Sequence, residues 1–362
     1  MIVSDPKTAD AILRAPDQFQ KTFKLLELLG KSRFGTNGDE WQARRELTHR
    51  NYLKAGMAQN RERVAEVYRR RLADCESTEP AAISRALLAA STEIFHDAFG
   101  CTVAIEPMLD FFDHARVMLK QLQYFSMMPP DPSELEALER HARSLLRQYV
   151  VETERSPTLS AVLESWQSQT RIDDFNAADE FMMNFFAATE SSSSTLSTAI
   201  NRLGVHQAAQ ERLAAEVTAG ENFAQLECFI NETLRCYPPI PFVVRQVASE
   251  TEIEGLPLKA GNVIIISIIG IHRHSGYWKD PELFDPARVE FVEDAYDRRA
   301  FIPFGKGLRT CGGTRLARLE LAEGLKAFIR QFVVTHESDE LSFEYSLAMR
   351  PKSWEGMRIA RR

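Results

Sequence analysis

A mainly α-helical domain with small β-sheets, spanning residues 1–362 as one unit, is the fold that this chain predicts. Three observations carry the prediction. Apolar residues recur at helical spacing through the first two-thirds of the chain. Short β-branched runs punctuated by glycine and proline appear only beyond Pro238-Pro239. No repeat, low-complexity linker or shift in composition marks a domain boundary.

Asp5-Pro6 opens the first helix, a capping carboxylate followed by proline at the first helical position, and Lys7–Arg14 continues it. A second helix begins after Gly38 and runs through Trp41, Arg45 and Leu47. Helical spacing recurs over Arg61–Cys75, Ala81–Phe99 and Pro107–Phe125, breaks at Met128-Pro129-Pro130 and resumes over Ser133–Glu154. A long helix is expected over Asp174–Leu203. Gln207–Ala219 ends at Gly220, a residue suited to a C-cap, and Phe223–Tyr237 ends at two prolines that cannot continue a helix. The segments Ile253–Leu258 and Val263–Ile268 read as the two strands of a small hairpin. Helix returns after Gly313 to about Phe332, and the tail from Val333 alternates like weak strands.

Bulk properties exclude several classes. Apolar content of 44% and charged content of 26% are those of an ordinary globular protein. A formal charge of −7 gives no support to a nucleic-acid binder, whose footprint is basic. Asp5, Pro6 and Lys7 interrupt any early signal-like run, and the longest apolar stretch, Val263–Ile271, falls far short of the about twenty residues a membrane span needs. A cytoplasmic protein without a membrane anchor is the expectation. Cys75, Cys101, Cys228 and Cys236 show no metal-binding or redox spacing and read as free thiols of a reducing compartment.

Cys311 is different. It sits in Phe304-Gly305-Lys306-Gly307-Leu308-Arg309-Thr310-Cys311-Gly312-Gly313, with glycines on both sides, cations at Lys306, Arg309 and Arg315, and an amphipathic helix following at once. A helix N-terminus and nearby cations favour a thiolate, whether as nucleophile, redox sensor or metal ligand. No local signature supplies the base that a nucleophile needs. Glycines permit unusual dihedrals and close approach of a flat ligand to the backbone.

The string F-G-x-G-x-R-x-C-x-G resembles the haem-binding loop of the cytochrome P450 family, and Leu316, Ala317 and Glu320 downstream fit the same pattern. The resemblance covers essentially the whole chain and implies the cytochrome P450 fold, of soluble bacterial type. It makes Cys311 the axial ligand of haem b, in a loop with Phe304, Gly305, Arg309 and Gly313. Glu232-Thr233-Leu234-Arg235 matches the family's E-x-x-R; read alone, it is an ordinary helical pair. With Arg288 of Phe284-Asp285-Pro286-Ala287-Arg288 it is expected to form a buried network that anchors the cysteine loop. Trp41 and Arg45 match the family's early-helix motif for haem propionates, and Arg245 and Arg309 match two further propionate sites.

The long helix carries Ala187-Ala188-Thr189-Glu190-Ser191-Ser192 where the family has A-G-x-D/E-T-T. Ala188 replaces the usual glycine and Ser191 the usual threonine. Glu190 and Ser191 are the expected proton-delivery pair, and the serine run is expected to open the helix locally. Phe185, Phe186 and Ala187, with Phe242, Val243 and Val244, are expected to line the distal pocket. Ile2-Val3-Ser4-Asp5-Pro6 and Phe19 resemble elements that family members reach later, so the family's first helix and first strand are expected to be missing and the N-terminus to be unusually short.

The activity implied is a monooxygenase that hydroxylates or epoxidises a small, partly apolar organic substrate. Electrons would come from a separate ferredoxin or flavodoxin with its reductase, docked on basic residues Arg44, Arg50, Lys306, Arg315 and Arg318. A haem-thiolate peroxygenase or isomerase, and a haem-binding protein without turnover, are the alternatives. The Glu190–Ser191 pair speaks against both.

Overall fold

The computed structural model describes residues 1–22, 31–124, 156–167, 172, 175–345 and 348–362, with isolated positions between 133 and 155. The expected break at Met128-Pro129-Pro130, most of the expected Ser133–Glu154 helix and the expected helix start at Asp174 lie outside the described residues.

The chain opens with β1 (Ile2–Val3) and α1 (Pro6–Arg14). The Asp5 carboxylate caps α1 by accepting from the backbone N–H of Lys7 and Thr8. Then come β2 (Phe19–Lys21), α2 (Gly38–Ala58), α3 (Arg61–Ala73), α4 (Pro80–Phe99), α5 (Ile105–Tyr124), α6 (Pro157–Gln167), the long α7 (Ala177–Val205), α8 (Gln207–Ala219) and α9 (Ala224–Cys236). Helix α6 was not anticipated. Its start, Ser156-Pro157, repeats the signal that opens α1, and Ser156 Oγ accepts from Leu159 N–H at 3.2 Å. Gly220 closes α8 at φ 77°, a left-handed cap that glycine adopts freely.

The sheet corrects one expectation. β3 (Phe242–Val247) and β6 (Val263–Ser267) pair with each other, antiparallel, inside a four-stranded sheet ordered β1-β6-β3-β2. The segment expected to form a hairpin with β6 closes on itself instead, as β4 (Thr251–Ile253) and β5 (Leu256–Leu258). The turn Glu254-Gly255 has positive φ at both residues, 50° and 79°, which matches the twist of a tight hairpin. That local closure leaves β6 free to find β3.

Two short helices, α10 (Ile268–His272) and α11 (Val289–Val292), precede α12 (Thr314–Gln331). The tail forms β7 (Phe332–His336) with β10 (Met357–Arg361), and β8 (Phe343–Tyr345) with β9 (Met349–Pro351). Helix α7 runs through the middle, packed against α4, α9, α12 and β7. Among the described residues no helix is long and apolar enough to cross a membrane.

Candidate functional site

The cysteine loop is held from both ends. Cys311 N–H donates to the Phe304 carbonyl at 2.9 Å, and the Cys311 carbonyl accepts from Thr314 Oγ1 at 2.9 Å as α12 begins. Gly305 and Gly307 have φ of 71° and 74°, a region that costs other residues energy. At Gly307 a Cβ would also stand 2.4 Å from the Leu13 carbonyl oxygen. Gly312 and Gly313 are not left-handed; their bareness leaves space beside the thiol, which is exposed.

Behind the loop the structure brings Glu232, Arg235 and Arg288 together. Arg235 donates to both Glu232 oxygens at 2.7 and 2.8 Å, and Arg288 Nε donates to Oε2 at 2.9 Å. All three side chains are buried. Their remaining donors reach backbone carbonyls, including Arg235 to His272 (3.0 Å) and Arg288 to Leu283 (2.7 Å). His272 in turn accepts from Ile302 N–H at 2.9 Å, and the Ile302 carbonyl accepts from Gly305 N–H at 2.9 Å. A continuous chain of hydrogen bonds thus joins the ion network to the cysteine loop.

On the other side stands a cluster of cations. The Arg309 guanidinium lies 4.0 Å over the Trp41 ring and donates to the carbonyls of Arg33 and Thr36 and to Asn37 Oδ1. Arg45 lies 5.7 Å over the same ring. Arg245 on β3 is the cross-strand partner of Lys21 on β2. Burial pushes Arg245 and Arg309 each down to about 10. Burial, then Arg245 and Arg309, push Lys21 well below the usual lysine range, while Cys311 acts in the opposite direction. Arg33 is lowered by burial, with Tyr52, Glu180 and Cys311 opposing the effect and Arg45 adding to it. Among the described residues, Lys21, Arg33, Arg45, Arg245 and Arg309 form no ion pair.

Lys21 and Arg33 were not singled out from the sequence. Asn37 explains why Lys21 arrives here: its Oδ1 accepts from Lys21 N–H at 2.9 Å and its Nδ2 donates to the Lys21 carbonyl at 2.8 Å, next to its bond with Arg309.

The opposite wall is α7. From Phe181 to Gly204 every residue is buried except Asn184, Ala187, Ala188 and Ser191. That spacing is one stripe of a helix. Arg33 links the walls: its Nη2 donates to Asn184 Oδ1 at 3.1 Å and stands 3.9 Å from where a Cβ on Gly312 would be.

Helix α7 corrects two expectations, the local opening and the pocket role of two phenylalanines. It is unbroken, because the hydroxyls of Thr189, Ser191, Thr195 and Thr198 return to carbonyls four residues back without displacing the helix bonds. Phe185 and Phe186 do not line the open stripe; they are 0% and 4% exposed, inside an aromatic core with Phe95, Phe111 and Phe112. Glu190 and Ser191 are adjacent but not bonded to each other. Ser191 lies on the stripe, donating to the Ala187 carbonyl at 2.8 Å. Glu190 points to α5, where Arg116 holds both its oxygens at 3.0 and 2.5 Å. There it borders a polar cavity of about 290 Å³, shared with Ser193, Ser194, Ser197 and Arg350.

The other expected residues are placed as follows. Ala187 is exposed on the stripe, and Phe242, Val243 and Val244 lie on β3 beside Arg245, with the Phe242 ring 5.1 Å from Tyr345. Arg44 leaves the expected docking patch: it is fully buried, bonded to Glu180 at 3.2 Å and to Glu40 at 3.0 Å. Lys306 is committed to Asp10 at 3.0 Å. Arg50 and Arg315 are exposed, and Arg318 donates to Asn231 at 3.1 Å.

These features fit haem b. An exposed thiol stands near basic side chains that are half-buried or, at Arg245, buried and that form no ion pair among the described residues, and α7 leaves open a stripe of small residues. Haem b offers an iron for the thiol, a flat apolar face for the stripe and two carboxylates for the cations.

Comparison with known proteins agrees. The profile of the cytochrome P450 family matches residues 1–355. Among curated proteins, the chain is 34% identical over 187 residues to the probable cytochrome P450 6t1 of Drosophila melanogaster, covering 45% of this chain and 35% of that one. It is 30% identical over 181 residues to cytochrome P450 3A13 of Mus musculus, covering 46% and 36%. The chain therefore matches about a third of the length of each relative. Two solved structures share the fold over 100% of this chain: a Thermus thermophilus cytochrome P450 of TM-score 0.80 at 20% identity, 88% covered, and a zebrafish cytochrome P450 with progesterone, of TM-score 0.82 at 19% identity, 93% covered.

Proposed function

The chain belongs to the cytochrome P450 family, and from that premise we propose that it is a haem-thiolate monooxygenase acting on a small, partly apolar organic molecule. One observation carries the reading: an exposed thiol, held in a glycine loop, lies near a cluster of basic side chains that form no ion pair among the described residues, with the small-residue stripe of α7 left open. Haem bound there supplies dioxygen activation.

The chain's own residues do the rest. Cys311 would ligate the iron, and Glu232, Arg235 and Arg288 hold its loop in place. Arg245, Arg309 and Arg45, with Trp41, would hold the haem carboxylates. Ala187 and Ala188 would leave room for substrate and dioxygen. Glu190 borders an outer polar cavity and Ser191, the next residue, lies on the inner stripe, so the pair stands between that cavity and the site. We assign proton delivery to this pair.

Electrons come from a separate ferredoxin or flavodoxin with its reductase. The exposed apolar side chains Leu53, Met57 and Leu308, with the exposed cations Arg50, Lys54 and Arg315, form a surface suited to an acidic partner. Arg315 ties this surface to α2 by donating to the Gly56 carbonyl at 3.1 Å. The five cysteines are free, in keeping with a reducing cytoplasm.

The test is a spectrum. Reduced protein with carbon monoxide is expected to show the strongly red-shifted band of thiolate-ligated haem, and Cys311→Ala to lose it. Retention of the band in the variant overturns the assignment.

A further inference from the structure

Five basic side chains face the crevice; with Lys21, pushed well below the usual lysine range, left out of the count, four arginines remain, and the haem carboxylates account for two. The other charged groups nearby do not absorb the rest. Arg44 and Lys31 are paired with Glu40 and Glu180: Lys31 meets Glu40 at 2.9 Å, and Arg44 meets Glu180 at 3.2 Å, while Glu180 acts on the Arg33 guanidinium at longer range without an ion pair. The crevice therefore keeps a positive surplus after the cofactor's carboxylates are counted. Charge withdrawn from solvent without an ion-pair partner is costly, so a surplus of this kind points to a second anion.

Its position is readable. Lys21 and Arg245 stand side by side on β2 and β3, and Arg45 and Arg309 share the Trp41 ring. Arg33 stands apart, at the Asn184 end of the α7 stripe. Its backbone N–H is pinned to Glu180 Oε1 at 2.7 Å. Asn184 is itself oriented, donating through Nδ2 to the Glu180 carbonyl at 2.6 Å while its Oδ1 takes Arg33 Nη2. Arg33 Nε and Nη1 have no hydrogen-bond partner among the described residues. They are the donors with which a guanidinium grips a planar carboxylate. From there the stripe Ala187, Ala188 and Ser191 offers a small-residue surface for an apolar body.

We propose that the substrate is an organic carboxylate, its acid group held by Arg33 as Asn184 orients it and its apolar body lying along the α7 stripe. This rests on the monooxygenase reading and narrows it to a substrate class.

The test pairs ligands that differ only in charge. Haem-loaded full-length protein is titrated with straight-chain acids of eight to sixteen carbons and 4-phenylbutyric acid, each beside its methyl ester, reading the shift of the haem Soret band. At least one acid is expected to bind tenfold or more tighter than its ester. Arg33→Gln is expected to bring the pair within about twofold, with the carbon monoxide band unchanged; Arg33→Lys is expected to retain part of the preference. Asn184→Leu provides a second variant, expected to weaken the acid and leave the ester alone. If no acid binds better than its ester, or the preference survives Arg33→Gln, the assignment is overturned. Loss of the thiolate-type carbon monoxide band in the unaltered protein would instead overturn the underlying reading, so the two failures are distinguishable.

Discussion

Two sets of arginines lie on either side of the cysteine loop, one fully buried and one largely half-buried, and they are built in opposite ways. Around Glu232, one carboxylate bonds two guanidiniums, and backbone carbonyls take the remaining donors. In the crevice, the side chains of Arg33, Arg45, Arg245 and Arg309 with Lys21 meet carbonyls, amides and aromatic rings and form no ion pair among the described residues. The first set is complete within the chain and serves the fold. The second is complete only when a ligand brings the negative charge, and it serves the site. The difference lies in charge balance: the first set holds its own carboxylate and the second forms no ion pair among the described residues.

The strongest way to break this contrast is to remove the carboxylate from the balanced set. Glu232→Gln leaves two buried guanidiniums without their anion, and a loss of about 3–5 kcal/mol is expected in denaturant unfolding of the apoprotein. A loss below about 1 kcal/mol would put the network outside the stability of the fold.

A third kind of site sharpens the contrast. Glu320 on α12 is buried with Tyr68 (3.0 Å) and no cation, and burial pushes its carboxyl up to about 7. Unfolded, it releases its proton near pH 4.5. Below that both states are protonated and nothing is lost. Between 4.5 and 7 the folded state holds a proton that the unfolded state has given up, so stability falls as pH rises and levels off above 7. The full effect is up to about 3 kcal/mol. Glu180, also pushed up to about 7 by burial, adds in the same sense. Glu320→Gln keeps a neutral group there and is expected to flatten the decline between pH 5 and 7.5, read from thermal midpoints. An unchanged slope would exclude Glu320 as its source.

The smallest expected stability change has the opposite sign. Arg245→Met removes a buried cation that has no carboxylate, so the apoprotein is expected to gain about 1 kcal/mol, while haem retention weakens by about tenfold or more. A destabilised apoprotein with normal haem retention would mean that Arg245 belongs to the fold and not to the site.

How far these parts are legible in the sequence follows from how local they are. The cysteine loop and the Glu232–Arg235 spacing are contiguous, so glycine dihedrals and helical geometry reveal them directly. The helices of the N-terminal half announce themselves by period and caps. The unpaired cations do not. Lys21 and Arg33 are two of 44 lysines and arginines, and only the β2–β3 register and the side chain of Asn37 bring Lys21 beside Arg245 and Arg309. Periodicity marks α7 as buried, yet it cannot say which stripe stays open, so Phe185 and Phe186 read as pocket when they are core. Arg44 reads as a surface cation because Glu180, which buries it, lies on a different helix.

The central claim is that Arg45, Arg245 and Arg309 are matched to the carboxylates of the cofactor. Loading the apoprotein with haem b and, in parallel, with its dimethyl ester tests this directly, since the ester keeps the iron and the flat ring but has no anionic groups. Retention of haem b with loss of the ester by a hundredfold or more in affinity is the predicted result. Equal retention of the two would contradict the account, because it would show that the cations of the crevice do not hold the cofactor.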